Sequence, residues 1–261
     1  MTGKENKFVF LTPMYNMSAS LPRLLHSLYG QSYSNWSVVL VDDCSEHLEQ
    51  VLCNQIINKF TNFNSHHSHI DVTWNSDQRG KRWEMDNVLY GLTKCRDDDI
   101  VCRLDADDYL IDLDALMIIN EVYNQTQCDA LWTMHRWGNS DRNISATLNA
   151  SGDDVYKHPW VTSHLKTFRK KLVNGVPWMN FINEQNNLVR RTGDQALYLP
   201  VLRNASRSVF LPRVVYHYTI DERGGEVYQT DDSRFQKQEA DFIRSRGYVA
   251  SGNTWEEMYE R

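Results

Sequence analysis

Three short apolar runs, each breaking at once into polar residues, constrain this chain more than any other feature. Phe8-Val9-Phe10-Leu11 leads into Thr12-Pro13-Met14-Tyr15-Asn16, Val38-Val39-Leu40-Val41 into Asp42-Asp43-Cys44-Ser45, and the run from Ile100 to Leu104 into Asp105-Ala106-Asp107-Asp108. Short apolar runs rich in β-branched residues read as buried strands. Helical patterns lie between them: Leu21, Leu24, Leu25 and Leu28 recur at i, i+3, i+4 and i+7, with Ser20 placed as N-cap and Pro22 tolerated in the first turn. Leu48, Val51, Leu52 and Ile56 repeat the spacing, Ile70 to Trp74 alternates as a strand does, and Met85, Val88, Leu89 and Leu92 mark a further helix. This alternation predicts right-handed crossovers and a mainly parallel sheet flanked by helices, an α/β fold whose ligands bind beyond the carboxyl ends of the strands. The polar clusters occupy those ends.

The second half is less regular. From about Gly138 to Lys157 it is polar and rich in Asn, Ser and Asp, an expected exposed connection; Ser208 to Tyr218 is strand-like, and Phe235, Phe242 and Ile243 predict a C-terminal helix packed on the main body. With 261 residues the expectation is one large domain and a small appendage. No stretch approaches the roughly 18 apolar residues that cross a bilayer, and the first residues run straight into a strand, so the chain is expected in the cytoplasm, the host's if it is viral. Five cysteines without Cys-x-x-Cys or Cys/His spacing are read as reduced packing residues. A net charge of -6 argues against a whole-protein footprint for nucleic acid, leaving room only for a local basic stripe.

Together with Gln31 and Tyr33, the three polar clusters resemble glycosyltransferase family 2, whose members have the GT-A fold. The similarity is good from about Phe8 to Leu116. It resumes more weakly around Pro159 to Arg169 and Gly193 to Tyr218, in a form shared with bacterial and phage-like members. The resemblance implies a Rossmann-like GT-A domain in which residues 1–125 bind the nucleotide sugar, 126–225 supply the acceptor side and catalytic base, and 226–261 form a helical tail. It implies an inverting transferase that moves a hexose or N-acetylhexosamine from a UDP-sugar, with Mn2+ or Mg2+ as cofactor.

Asp105-Ala106-Asp107 suits that chemistry. A diphosphate leaving group concentrates negative charge, and a hard cation held by paired carboxylates neutralises it, although Asp-rich tetrapeptides are also ordinary turns and caps. By resemblance Asp107 touches the metal and Asp105 lies nearer the sugar and ribose. At Asp42-Asp43 a carboxylate can accept from a uracil imide or ribose hydroxyls, or cap the next helix; the resemblance gives Asp43 to the base. Thr12, Pro13 and Tyr15 wall the nucleotide pocket as their counterparts do, with Asn16 holding the turn. Arg79-Gly80-Lys81-Arg82 precedes the Met85 helix, where basic side chains and free N–H groups suit a pyrophosphate or form a solvated turn. Arg79, Lys81 and, by resemblance, Asn87 are the donor candidates there.

Inversion without a covalent intermediate needs a carboxylate opposite the leaving group, a contribution of roughly 10^2- to 10^4-fold. Asp194, in Gly193-Asp194-Gln195-Ala196, looks like the start of the family block that carries this base, or is the N-cap of an amphipathic helix. Gly193 stands where the family more often has an acid, which removes one acceptor contact. His217 is either a third metal ligand, as in some members, or a strand residue with a satisfied ring. Lys157 to Trp160 and Ser163 to Lys171 interleave bases with aromatics. Trp160, His164, Lys166, Arg169 and Trp178 are the acceptor candidates; the same run also reads as a track for a polyanion or as the basic face of a solvated helix. A glycan or lipid-linked saccharide is the default acceptor, and a hydroxymethylated base of phage DNA is the option the basic run motivates. Presence of both the D-x-D acids and Asp194 counts against a non-catalytic nucleotide-sugar-binding module, and Thr12 to Asn16 lacks the Gly-rich loop of a nucleotidylyltransferase.

Overall fold

The computed structural model describes residues 3–63, 68–75, 83–140, 143–220 and 231–259. Its elements are β1 (Phe8–Met14), α1 (Leu21–Tyr29), β2 (Trp36–Asp42), α2 (His47–Phe63), β3 (Ser68–Thr73), α3 (Trp83–Leu92), β4 (Ile100–Arg103), β5 (Tyr109–Leu110) and α4 (Ala115–Thr126). There follow β6 (Ala130–Trp137), β7 (Lys166–Arg169), α5 (Gly193–Asn204), β8 (Ser208–Tyr218) and α6 (Asp231–Arg246). The strands form one eight-stranded sheet in the order β3-β2-β1-β4-β7-β6-β8-β5. The first four are parallel to their neighbours, as expected, so the carboxyl ends of β1, β2 and β4 share one rim. Beyond them β7 enters antiparallel between β4 and β6, β8 pairs parallel with β6, and β5 pairs antiparallel with β8.

Successive strand residues point to opposite faces, and the two cores obey that period. Val9, Leu11, Val39, Val41 and Val101 pack with the apolar residues of α3 and α5. Phe8, Phe10, Val38, Leu40, Ile100 and Cys102 pack with α1 and α4, each full burial of such a side chain contributing about 1.5–3 kcal/mol. As the connection between two parallel strands, α3 runs back against them, so its first turn lies at their carboxyl ends. It approaches closely because Gly91 has no side chain; a Cβ there would collide with Leu11.

Three expectations are corrected. Ser20 occupies the N-cap of α1 but its hydroxyl donates to the Met17 carbonyl instead of capping the helix. Most of the apolar stripe read on α2 points outward, with Leu48 67% exposed, because Phe60 stacks on Tyr29 and meets the His26 ring edge-on and so turns Cys53 and Ile57 inward. The basic run from Ser163 to Lys171 is neither a solvated helix nor a surface track: its middle is β7, an interior strand in which Lys166, Thr167 and Phe168 are buried. Thr167 there donates to the Leu131 carbonyl and shares a hydrogen bond with Tyr123. All five cysteines are free and four are buried. Among the described residues no helix is long and apolar enough to cross a membrane.

Candidate active site

β4 ends in Arg103, and β7 sets Lys166 directly opposite it in the ladder. Like charges facing each other on neighbouring strands repel, and here both are buried, with side chains 7% and 2% exposed. Carboxylates from three other segments answer them. Glu84, in the first turn of α3, lies 2.9 Å from Arg103 Nη2, and Asp105 lies 3.2 Å from the same nitrogen. Asp194, in the first turn of α5, lies 3.8 Å from Lys166 Nζ. Arg103 Nη1 donates to the Leu11 carbonyl at 2.8 Å, tying the cluster to β1. With His164, Leu197 and Tyr198 these side chains line one small pocket at the rim. Asp105, His164, Lys166 and Asp194, chosen from the sequence for three different roles, thus come together.

The electrostatics follow from burial and crowding. Burial lowers the Lys166 pKa, with Asp194 and Asp105 acting against it and Arg103 with it. Burial pushes the Glu84 carboxyl up to about 7; Asp105 and Asp194 add to the rise while Arg103 and Lys166 oppose it. Asp194 Oδ1 accepts the Gln195 N–H at 2.8 Å within the first turn of a twelve-residue helix. Asp194 is therefore in the helix's first turn and in the pocket at once, while Thr192 is the N-cap. The His164 ring stacks on Tyr216 at 4.7 Å, and burial followed by the Lys166 charge pulls its pKa well below the usual range, leaving it neutral.

Beside the pocket, Tyr216 on β8 organises the acidic loop. Its hydroxyl donates to Asp108 Oδ2 at 2.6 Å and accepts the Asp105 N–H at 3.3 Å, while Asp108 Oδ1 accepts the Thr219 N–H at 2.7 Å. Burial, then the charges of Asp105 and Asp107, push the Asp108 carboxyl up to about 8. Such an excess of hard, negative oxygen donors fits a divalent cation such as Mg2+ or Mn2+. Among the described residues no three His, Cys, Asp or Glu side chains are already gathered as a metal site. His217 lies opposite Tyr109 with the two rings tilted against each other at 4.5 Å, and burial and the charges of Arg23 and Arg136 lower its pKa. Those two arginines oppose a second cation there.

On the nucleotide side, the Asp42-Asp43 pair divides its work. Asp42 Oδ2 accepts from the Ser45 N–H and Gln50 Nε2 at 3.0 and 2.9 Å, so Asp42 steadies the start of α2. Asp43, on the α3 side of the rim, accepts the Trp83 N–H at 3.1 Å. Asn16 accepts from the Glu46 N–H and its own N–H donates to Ser45, joining the β1 and β2 loops. Thr12 Oγ1 and both amide atoms of Asn87 are buried without a partner among the described residues. Buried polar groups are ordinarily paired, so these atoms mark places where a ligand or water completes the set. Pro13 and Tyr15 are partly exposed at the same strand end. Arg79 and Lys81 lie outside the described residues.

The acceptor candidates separate. The Trp160 ring stands 6.0 Å from Lys166 Nζ at the pocket's edge. Trp178 instead lies beside the C-terminal segment, its backbone N–H donating to the Asn253 carbonyl at 2.8 Å. Arg169 pairs with Ile100 at the opposite end of β4 and covers the Tyr123 ring on the other face, three strand residues or roughly 10 Å from Lys166. That geometry sets Arg169 apart from the pocket. Glu84, Arg103 and Tyr216 were not among the sequence candidates. Arg103 carried a signal, a charge inside an apolar strand; Glu84 carried none, because acids are ordinary in a helix's first turn.

The family model for glycosyl transferase family 2 matches residues 9–172, more than half of the 261-residue chain. A search of curated protein sequences returns no match. Among solved structures, Staphylococcus aureus TarS, residues 1–349, superposes with a TM-score of 0.60 at 19% identity, covering 91% of this chain and 70% of that one. The same TarS segment in complex with UDP gives 0.60 at 18% identity over the same shares. The mannosyltransferase PcManGT from Pyrobaculum calidifontis, in complex with GDP-Man and Mn2+, gives 0.62 at 14% identity, covering 97% of this chain and 68% of that one. At these identities the structures speak for the fold.

Proposed function

The chain belongs to glycosyl transferase family 2, and from that premise we propose that it moves a hexosyl or N-acetylhexosaminyl group from a UDP-sugar to an acceptor hydroxyl, with inversion at the anomeric carbon. One observation carries this reading: Asp105 from the donor half and Asp194 from the acceptor half face a single pocket. Support for the donor comes from a relative of the same fold that holds UDP, and another holds GDP-Man with Mn2+.

Asp194 takes the proton of the attacking hydroxyl as its oxygen bonds to the anomeric carbon, and the carbon–oxygen bond to the diphosphate breaks with its electron pair leaving on the diphosphate. Lys166, buried behind Asp194, orients that carboxylate. Arg103 holds Asp105 toward the donor sugar. Asp43, Thr12, Pro13 and Tyr15 enclose the nucleotide, Asn87 offers its unpaired amide to the donor, and Arg79 and Lys81 bind the pyrophosphate. Asp107, with Asp105 beside it, would hold Mn2+ or Mg2+, which when bound neutralises charge on the departing diphosphate. Trp160 and His164 border the acceptor's approach. A saccharide acceptor is favoured over DNA, since the basic run that motivated DNA is threaded through the sheet interior.

The test is nucleotide release from a panel of UDP-sugars and GDP-mannose with Mn2+, with and without chelator, for wild type, Asp107→Ala and Asp194→Asn. Metal-dependent release of UDP that requires an acceptor and falls by about 10^2- to 10^4-fold in Asp194→Asn is expected. Donor binding with no transfer to any saccharide would sink the catalytic reading, and turnover of GDP-mannose alone would sink the UDP assignment.

A further inference from the structure

Of the three carboxylates that line the pocket, Asp105 and Asp194 have been given tasks and Glu84 has not. The three side chains are open to nearly the same degree, 38% for Glu84, 36% for Asp105 and 34% for Asp194, with Arg103 behind the first two and Lys166 behind the third at 7% and 2% exposure. The wall that meets an incoming molecule is thus acidic, with Asp105 taken by the donor in this reading, Glu84 and Asp194 left for the acceptor, and their counter-ions buried at the back. Arg103 does not need Glu84 for neutrality alone, since Asp105 and the Leu11 carbonyl already receive its other bonds. Among the described residues the one donor to Glu84 is Arg103, at Oε1, whereas a carboxylate offers about four acceptor positions.

Gly193 sets where that carboxylate lies. A Cβ at Gly193 would stand 3.3 Å from Glu84 Oε1 and 3.4 Å from Oε2, so the acid rests against the bare first residue of α5, immediately before Asp194. Any side chain there would displace it. Through this contact two acids distant in sequence become neighbours.

We propose that Glu84 is the acceptor-orienting residue of this pocket, accepting a hydrogen bond from a second hydroxyl of an uncharged polyol acceptor whose attacking hydroxyl faces Asp194. The assignment rests on the transferase reading above. Glu84 keeps its protonation state while Asp194 takes the proton and the diphosphate leaves. An acceptor with an anionic group beside its reacting hydroxyl is repelled by the paired acids, and one with a single hydroxyl leaves Glu84 unmatched. A site built to bind a hydroxyl discriminates strongly against an analogue lacking it.

The experiment is steady-state kinetics of wild type, Glu84→Gln and Gly193→Ala, using the nucleotide sugar that wild type turns over and a panel of methyl glycosides with their monodeoxy counterparts. Glu84→Gln is expected to raise the acceptor KM at least about tenfold with the donor KM changed less than about twofold. Gly193→Ala, which pushes the carboxylate aside without removing it, shows the same split at smaller size and carries the test should Glu84→Gln fail to fold. One particular deoxy acceptor costs wild type as much as Glu84→Gln does and costs that variant nothing further. Equal rises in both KM values, an unchanged acceptor KM, or deoxy penalties that simply add to the mutation overturn the Glu84 role while leaving the transferase reading intact. A wild-type chain that turns over no nucleotide sugar overturns both.

Discussion

The two cations behind the pocket are held in opposite ways. Arg103 spends its planar fork on three acceptors at 2.8, 2.9 and 3.2 Å, joining β1, α3 and the acidic loop. Lys166 reaches one carboxylate, at 3.8 Å, and burial lowers its pKa. A guanidinium with five donors in fixed geometry suits a structural junction; an ammonium is a compact charge that can serve one neighbour. The comparison makes Arg103 the junction between β1, α3 and the acidic loop and Lys166 the counter-ion of one acid.

Breaking the junction should have the largest effect on stability. Arg103→Met strands two carboxylates and a carbonyl, and is expected to lower the unfolding free energy by about 3–5 kcal/mol in urea titrations. A midpoint that stays put would show that the fork is not what holds the rim. Lys166→Met, which swaps an already penalised charge for an apolar chain of similar length, should cost less, about 0–2 kcal/mol, yet lower kcat by about tenfold as Asp194 loses its counter-ion. If the methionine variant keeps full kcat, the orienting role is wrong.

A pH titration sharpens the contrast from the carboxylate side. The Glu84 pKa is raised in the fold from 4.5 to about 7, so between those values the folded state binds more protons than the unfolded one. Its contribution to stability is therefore complete below about pH 4.5 and is lost as pH rises through 7. Subtracting the stability profile of Glu84→Gln from that of wild type should leave a decline confined to this window; a flat or rising difference contradicts the burial argument. The smallest effect belongs to Arg169, at the far end of the strand that carries Lys166. Arg169→Gln should leave both KM values within about twofold and cost less than about 1 kcal/mol from the lost Tyr123 contact.

The donor half was legible because its information is local. Each apolar run, its following polar cluster and the next helical pattern lie within some 30 residues, and the parallel crossover rule does the rest. The corrections arose where a pattern has two geometric solutions. The α2 stripe was a proper helical face, but Phe60 stacking against α1 chose the other one. The basic run around Lys166 has no period that separates an interior strand from a solvated helix, and pairing with β4 and β6, far away in the chain, decided it.

By itself the sequence determined the alternating α/β order and the rim at which polar residues gather, and by family resemblance it nominated the acids Asp43, Asp105, Asp107 and Asp194. The first two follow from periodicity and from what strand ends must do. Only the tertiary structure decided that Arg103 and Lys166 stand side by side in the ladder, that Arg169 faces away, and that Glu84 rests on Gly193 next to Asp194. The reason is physical: a charge in a buried strand must find its partner in space, and nothing in a linear sequence states which helix will bring it.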